Sequence, residues 1–256
     1  MNKIKTESPF LKLNAYIAHG GVASRRKAIE MIMEGQITVN GSCVYEPSYR
    51  VLPGDIVRYG DMIIQTESHQ YIVMNKPRDY VTTTDDERGR RTVISLLEGA
   101  VSERVYPVGR LDRDTTGLLV LTNDGALAHM LMHPRHGVQK TYQVELMQPL
   151  EIADLNRIRA GIELIDGLVP VERAVIIPGS RGLDVVIVLS SGRNRVIRRL
   201  FEHLGHEIRS LHRVQYAQLT TKGLRIGQWR FLTNSEVIDL RASAHESIGD
   251  SVDISI

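Results

Sequence analysis

Gly109-Arg110-Leu111-Asp112-Arg113-Asp114-Thr115-Thr116-Gly117 is a polar stretch set between two apolar runs, Val105 to Val108 and Leu118 to Leu121. It reads as strand, loop and strand. The bracketing glycines allow a sharp turn, and the flanking apolar runs hold the loop at the edge of a core. Arg110 and Arg113 flank Asp112, which makes that carboxylate the candidate for chemistry.

Asp112, Asp114 and Thr116 also spell D-x-D-x-T, which invites two metal-dependent readings. A calcium loop starting at Asp112 would need a bidentate Glu at its twelfth position, where Asn123 stands, so that reading fails. In a magnesium-dependent phosphatase Asp112 would attack phosphorus and Asp114 would serve as acid and base. The mid-chain position, Gly117 after the threonine and the want of a clear second acidic cluster weigh against it. A third possibility is that Asp112 only pins the loop by pairing with Arg110 or Arg113.

The chain around the loop has 256 residues, 42% hydrophobic and 24% charged, enough for one large domain with a small partner. The single Cys43 forms no internal disulfide, and the opening MNKIKTESPF lacks the apolar run of a signal peptide. No stretch approaches the roughly 18 consecutive apolar residues that span a membrane. A cytoplasmic protein with no membrane partner is therefore expected; a monomer that uses neither cofactor nor metal is a separate expectation. The formal charge of +2 hides a strong asymmetry. Residues 231 to 256 set Glu236, Asp239, Glu246, Asp250 and Asp253 against Arg241 alone, whereas residues 190 to 213 carry six arginines against Glu202 and Glu207. Such a basic cluster suits a polyanion, although a solvated helix face has the same composition.

Leu11 to Ala18 reads as a short helix stopped by Gly20-Gly21, and Ser24 caps a second helix through Arg25, Arg26, Lys27 and Ala28 to Gly35. Asn40-Gly41 then turns a hairpin between Ile37-Thr38-Val39 and Ser42-Cys43-Val44. This arrangement, with ASRRKAIEMIMEGQITVNG and PGDIV, resembles the small RNA-binding domain first described in the fourth protein of the small ribosomal subunit. The resemblance implies that Lys12, Ser24, Arg25, Arg26 and Lys27 line one face and contact RNA phosphates, giving affinity with little sequence information.

A second domain starts near Tyr71 with the strand Tyr71 to Met74. Thr92 to Leu97 is a buried element, Ala126 to Met132 a short helix, and Lys140 to Leu146 a strand that points Tyr142 inward with Val144 and Leu146. Leu183 to Leu189 fits a central strand. Gly192 opens an arginine-rich helix with Ile197, Leu200, Phe201 and Leu204 buried, Arg195 and Arg199 outward and Arg198 on the boundary. From Arg241 the chain is polar and expected to be disordered.

Four motifs in order, YIVMNKPRDYV, VGRLDRDTTGLLVLTNDG, HPRHGVQKTYQV and SGRNRVIRRLFEHLGHEI, resemble the pseudouridine synthases of the ribosomal small-subunit type, a family that commonly joins the RNA-binding module to a catalytic domain. The resemblance implies an α+β fold, a mixed and mainly antiparallel central sheet with flanking helices behind the small N-terminal α/β domain. Expected boundaries are 9–66, 70–240 and a tail at 241–256. It implies isomerisation of a uridine in ribosomal RNA, free or in a ribosome assembly intermediate. Asp112 is then the nucleophile, Tyr142 packs on the base, and Arg198 pairs with Asp112. Arg110, Arg195 and Arg199 contact RNA, and Asp114 is the less informative carboxylate of the pair. Gly192-Arg193-Asn194-Arg195 looks like the branch acting on large-subunit RNA. Arg78-Asp79 departs from the family pattern, which has a glycine two residues after the proline, and leaves that loop's conformation open. The competing class is a non-catalytic RNA-binding assembly factor with Asp112 as the loop pin.

Overall fold

The structure is a computed structural model that describes residues 10–244. Two compact units are present, residues 10–69 with 102–104, and residues 70–101 with 105–244. In the first, the helices Leu13–His19 and Arg25–Met33 bury Leu13, Ile17, Ala28 and Ile32 against Ile37 and Val57 of a four-stranded antiparallel sheet. Asn40 and Gly41 take φ of +51° and +83°, the left-handed pair that a two-residue hairpin requires. Ser24 Oγ accepts the Lys27 amide at 3.2 Å and caps its helix as expected. The preceding helix starts at Leu13 and not at Leu11, because Leu11–Lys12 pair as a short strand with Arg50–Val51.

The second unit is built on a twisted sheet ordered Arg173–Ile176, Asp184–Leu189, Lys140–Leu146, Ile208–Tyr216, Thr116–Thr122, Tyr71–Lys76 and Trp229–Phe231. One pairing is parallel, between Thr116–Gly117 and His212–Arg213; the others are antiparallel. The mixed, mainly antiparallel α+β architecture expected from the sequence is thus the one observed. Alternation along the strands gives each face its own core. Ile72, Met74, Leu119, Leu121, Tyr142 and Val144 pack with Ile197, Leu200 and Phe201 of the helix Val196–His203. Val73, Leu118, Val120 and Tyr216 pack on the other side with Leu127 and Leu131 of the helix Gly125–Met132.

Two local expectations change and one is made specific. The arginine-rich helix begins at Val196, with Arg195 as its N-cap in the left-handed region at φ +48°, so residues 192–195 form a loop. The buried element expected over Thr92 to Leu97 is a capped 3-10 turn over Val93–Leu97, with Val93 and Leu97 buried. The polar tail does not begin at Arg241: the helix Asn234–Ser243 continues through it, held at its start by a capping box of Thr233 and Glu236. Arg241 Nη2 donates to Tyr71 Oη at 2.9 Å and to Asp124 Oδ2 at 2.5 Å, and Ala244 is buried. The remainder of the expected tail, 245–256, lies outside the described residues. Among the described residues no helix is long and apolar enough to cross a membrane.

Candidate active site

The loop of residues 109–117 sits at the mouth of a cavity of about 580 Å³ in the second unit. Its backbone is fixed from three directions. Thr82 Oγ1 donates to Leu111 O at 2.7 Å and accepts the Leu111 amide at 3.2 Å. Asp79 donates its amide to Arg113 O at 2.8 Å, and its carboxylate meets Arg113 Nη2 at 2.9 Å. Beneath the loop, Lys76 at the end of its strand is wholly buried, with Nζ donating to the carbonyls of Pro77, Arg113 and Thr115 at 3.0, 3.3 and 2.8 Å. Burial pushes the Lys76 ammonium down to about 8, against the opposing pull of Asp114, Asp112 and Asp79. Asp79 has φ of +68°, which is why glycine suits this position and why the loop keeps its turn with an aspartate there.

Asp112 is held by charge and not by hydrogen bonds. Its Oδ2 is 3.7 Å from Arg195 Nη1 and 3.9 Å from Arg198 Nε, and its side chain is 29% exposed. At those separations the cations face the carboxylate without occupying its lone pairs. Arg198 instead makes its close contact to Asp114, Nη2 to Oδ2 at 2.7 Å. The expected pairing of Arg198 with Asp112 is thus present at 3.9 Å, and Asp114, the less informative carboxylate of the sequence reading, adds a second and closer anchor for the guanidinium that faces Asp112. An Asp114 so engaged is also poorly placed for the acid and base work of the phosphatase reading.

Tyr142, only 9% exposed, lines the same cavity from the strand Lys140–Leu146, as do Arg110, Asp112, Arg195 and Arg198. Arg199 does not line it; both its Nη atoms bond Asp166, at 2.9 and 3.0 Å, so its charge is already matched. In the first unit Lys12, Ser24, Arg25, Arg26 and Lys27 are exposed, with Lys27 paired to Glu30 at 2.8 Å. Sequence reasoning missed Lys76, Thr82, Lys140 and Arg213 as parts of this site. The phase of the strand offered a signal for Lys76, which follows Ile72 and Met74 on the inward side. Lys140 is sequestered by Val138 O and Ser190 O at 2.9 and 2.7 Å, and burial, with repulsion from Arg213, pushes it down to about 8.

Residues 70–203 match the family described as RNA pseudouridylate synthase, and residues 11–57 match the S4 domain. The chain belongs to the RNA pseudouridylate synthase family. It is similar to the ribosomal large subunit pseudouridine synthase B of Bacillus subtilis (strain 168), 40% identical over 238 residues that cover 91% of this chain and 96% of the relative. It is also similar to the dual-specificity RNA pseudouridine synthase RluF of Escherichia coli (strain K12), with 33% identity covering 90% and 78% of the two chains. A crystal structure described as a pseudouridylate synthase superposes with a TM-score of 0.65 at 30% identity, covering 90% of this chain and 99% of that one. The family resemblance of the sequence, its isomerase class and the module in front of the catalytic domain are borne out. For a pseudouridine synthase the cavity is apt in scale, since it has the volume of a small-ligand site and so has room for a nucleoside.

Proposed function

We propose that this pseudouridine synthase isomerises a uridine of large-subunit ribosomal RNA, with Asp112 as nucleophile and the target nucleotide flipped out of its stack. The observation that carries the reading is a carboxylate with uncommitted lone pairs, set between Arg195 and Arg198 at the mouth of a cavity that Tyr142 also lines. In the reaction the C1′–N1 bond breaks, the uracil turns, and C5 bonds to C1′. The hydrogen leaves C5 and N1 regains a proton, so nothing is gained or lost and no electrons are transferred overall. Asp112 attacks either C1′ or C6 of the ring, and its later departure restores the carboxylate.

A stacked uracil cannot reach Asp112, so flipping is required, at a cost of a few kcal/mol that backbone contacts offset. Tyr142 supplies the aromatic wall on which the base packs, and exposed Arg110 and Arg195 at the rim meet the phosphates. The first unit adds Lys12, Ser24, Arg25, Arg26 and Lys27 as further phosphate contacts. The name of the Bacillus subtilis relative and the Gly192-Arg193-Asn194-Arg195 loop favour large-subunit RNA, free or in an assembly intermediate, as the substrate.

Purified protein incubated with large-subunit RNA from a strain lacking the modification, followed by carbodiimide primer extension, is expected to give a new stop. Asp112→Ala is expected to give none while still binding the RNA. A stop of full strength with Asp112→Ala would sink the mechanism. No stop with the wild type on free RNA and assembly intermediates alike would favour a binding factor.

A further inference from the structure

Arg213 is a cation buried in the cavity wall that the chemistry above leaves without a task. It is 2% exposed, pairs across the sheet with Tyr142 on one side and Gly117 on the other, and lines the cavity. Its Nε donates to Leu118 O at 2.7 Å, and its guanidinium carbon lies 5.0 Å from the centre of the Tyr216 ring. These two contacts fix the guanidinium plane. Gly117, at φ +111°, makes the placement possible, because a Cβ there would fall on the Arg213 backbone. Arg213 Nη2 is nevertheless buried without any hydrogen-bond partner. Arginine cannot shed its proton to escape this, so an acceptor is missing.

The acceptor must come from something that enters the cavity. Phosphates have exposed Arg110 and Arg195 at the rim, whereas a side chain 2% exposed is reached only by the part of the nucleotide that goes in, the base. We propose that Arg213 donates through Nη2 to a carbonyl oxygen of the flipped uracil, both orienting the base and stabilising the charge that moves onto that oxygen. This rests on the reaction assigned above and holds for either route. Attack at C1′ leaves the bonding pair on the ring, shared by N1, O2 and O4. Attack at C6 opens the C5–C6 double bond and sends its pair to O4. In both cases the oxygen gives its charge up when C5 bonds to C1′, and no proton moves from the arginine; in the C6 route the carboxylate is restored when Asp112 then leaves C6. A fixed cationic donor is then worth more to the transition state than to the bound ground state. At O4 it would also oppose cytosine, whose amino group there is a donor.

The test uses the RNA fragment whose modified uridine the mapping identifies, made with uridine, 2-thiouridine or 4-thiouridine at that position, in single-turnover reactions of the full chain. Sulfur accepts hydrogen bonds poorly. Arg213→Gln is expected to slow the natural RNA by about 100-fold, the scale of a lost charge-stabilising donor. Its RNA dissociation constant should stay within about threefold, because phosphate contacts dominate affinity. One of the two thio substitutions is expected to slow the wild type and to have no further effect on Arg213→Gln; which one identifies the oxygen. If thermal melting shows Arg213→Gln unfolded, Arg213→Lys, which keeps the charge, carries the same comparison. Thio effects that are absent in the wild type, or equal in wild type and variant, overturn the inference. Failure of the wild type to modify the natural fragment would instead fault the reaction assigned to the protein.

Discussion

Arg25 and Arg26 stand exposed on the first turn of their helix in the RNA-binding unit, whereas Lys76, Arg198 and Arg213 of the catalytic unit are largely or wholly buried. The exposed pair sits at the positive end of a helix dipole, a placement that costs stability until an anion arrives. Such charges are mobile and screened by salt, so they suit a partner met at many phosphates. The buried cations cannot move. Lys76 is tied to three carbonyls, Arg198 to Asp114 and Arg213 to Leu118 O. On the function proposed above, the contrast would separate holding RNA from rearranging one of its bases, and substitutions in the two regions should divide the same way.

The largest effect is expected at Asp112. Asp112→Asn should lower the single-turnover rate by at least about 1000-fold while a filter-binding isotherm for the RNA hardly moves. Equal losses of rate and affinity would erase the distinction between the two regions. Next comes Lys76→Met, which leaves three loop carbonyls without their donor and should cost about 3 kcal/mol in urea unfolding. The pH dependence has a definite sign. A lysine at about 8 when folded and near its ordinary value when unfolded binds fewer protons in the folded state between those values. Stability from this group therefore rises with pH across that window, and wild type should gain on Lys76→Met there. A difference between the two proteins that shrank over the same window would contradict the buried ammonium.

Smaller effects belong to the first unit. Arg25→Ala with Arg26→Ala should weaken RNA binding and flatten the slope of log affinity against log salt by about 1.5, with the rate at saturating protein unchanged. A fall in that saturated rate would show these arginines reaching into the chemistry. Ser24→Ala should cost only about 1 kcal/mol, the worth of a helix cap, visible in thermal melting.

Much of this was legible in the sequence because it is local. The turn at Asn40-Gly41, the cap at Ser24 and the phase that turns Tyr142 inward each depend on a few neighbouring residues. That Asp112 stands on a loop between two strands and that Tyr142 faces inward were legible for the same reason, with the order of motifs adding the family. What was not legible depends on residues far apart. That Arg198 would grip Asp114 more closely than Asp112 is decided by how the loop 109–117 meets a helix some 80 residues away. Arg213 sits among mixed apolar and polar neighbours in Leu211-His212-Arg213-Val214-Gln215, where burial of one arginine has no sequence signature. The helix through Arg241 was hidden because its composition is polar, and its hold comes from Tyr71 and Asp124.

The parallel pairing of Thr116–Gly117 with His212–Arg213 also bears on when activity can appear. Bringing these segments together closes a loop of about 95 residues, and such distant pairings pay their chain entropy before any contact repays it. The two helices and hairpins of residues 11–63 are joined by short connections and need no such closure. As the chain is synthesised, at about 5 to 20 residues per second, the segment bearing Asp112 emerges several seconds before the strand bearing Arg213. The cavity therefore cannot assemble piecemeal behind the ribosome: a chain whose S4 domain is finished still lacks the candidate site until its last third has been made.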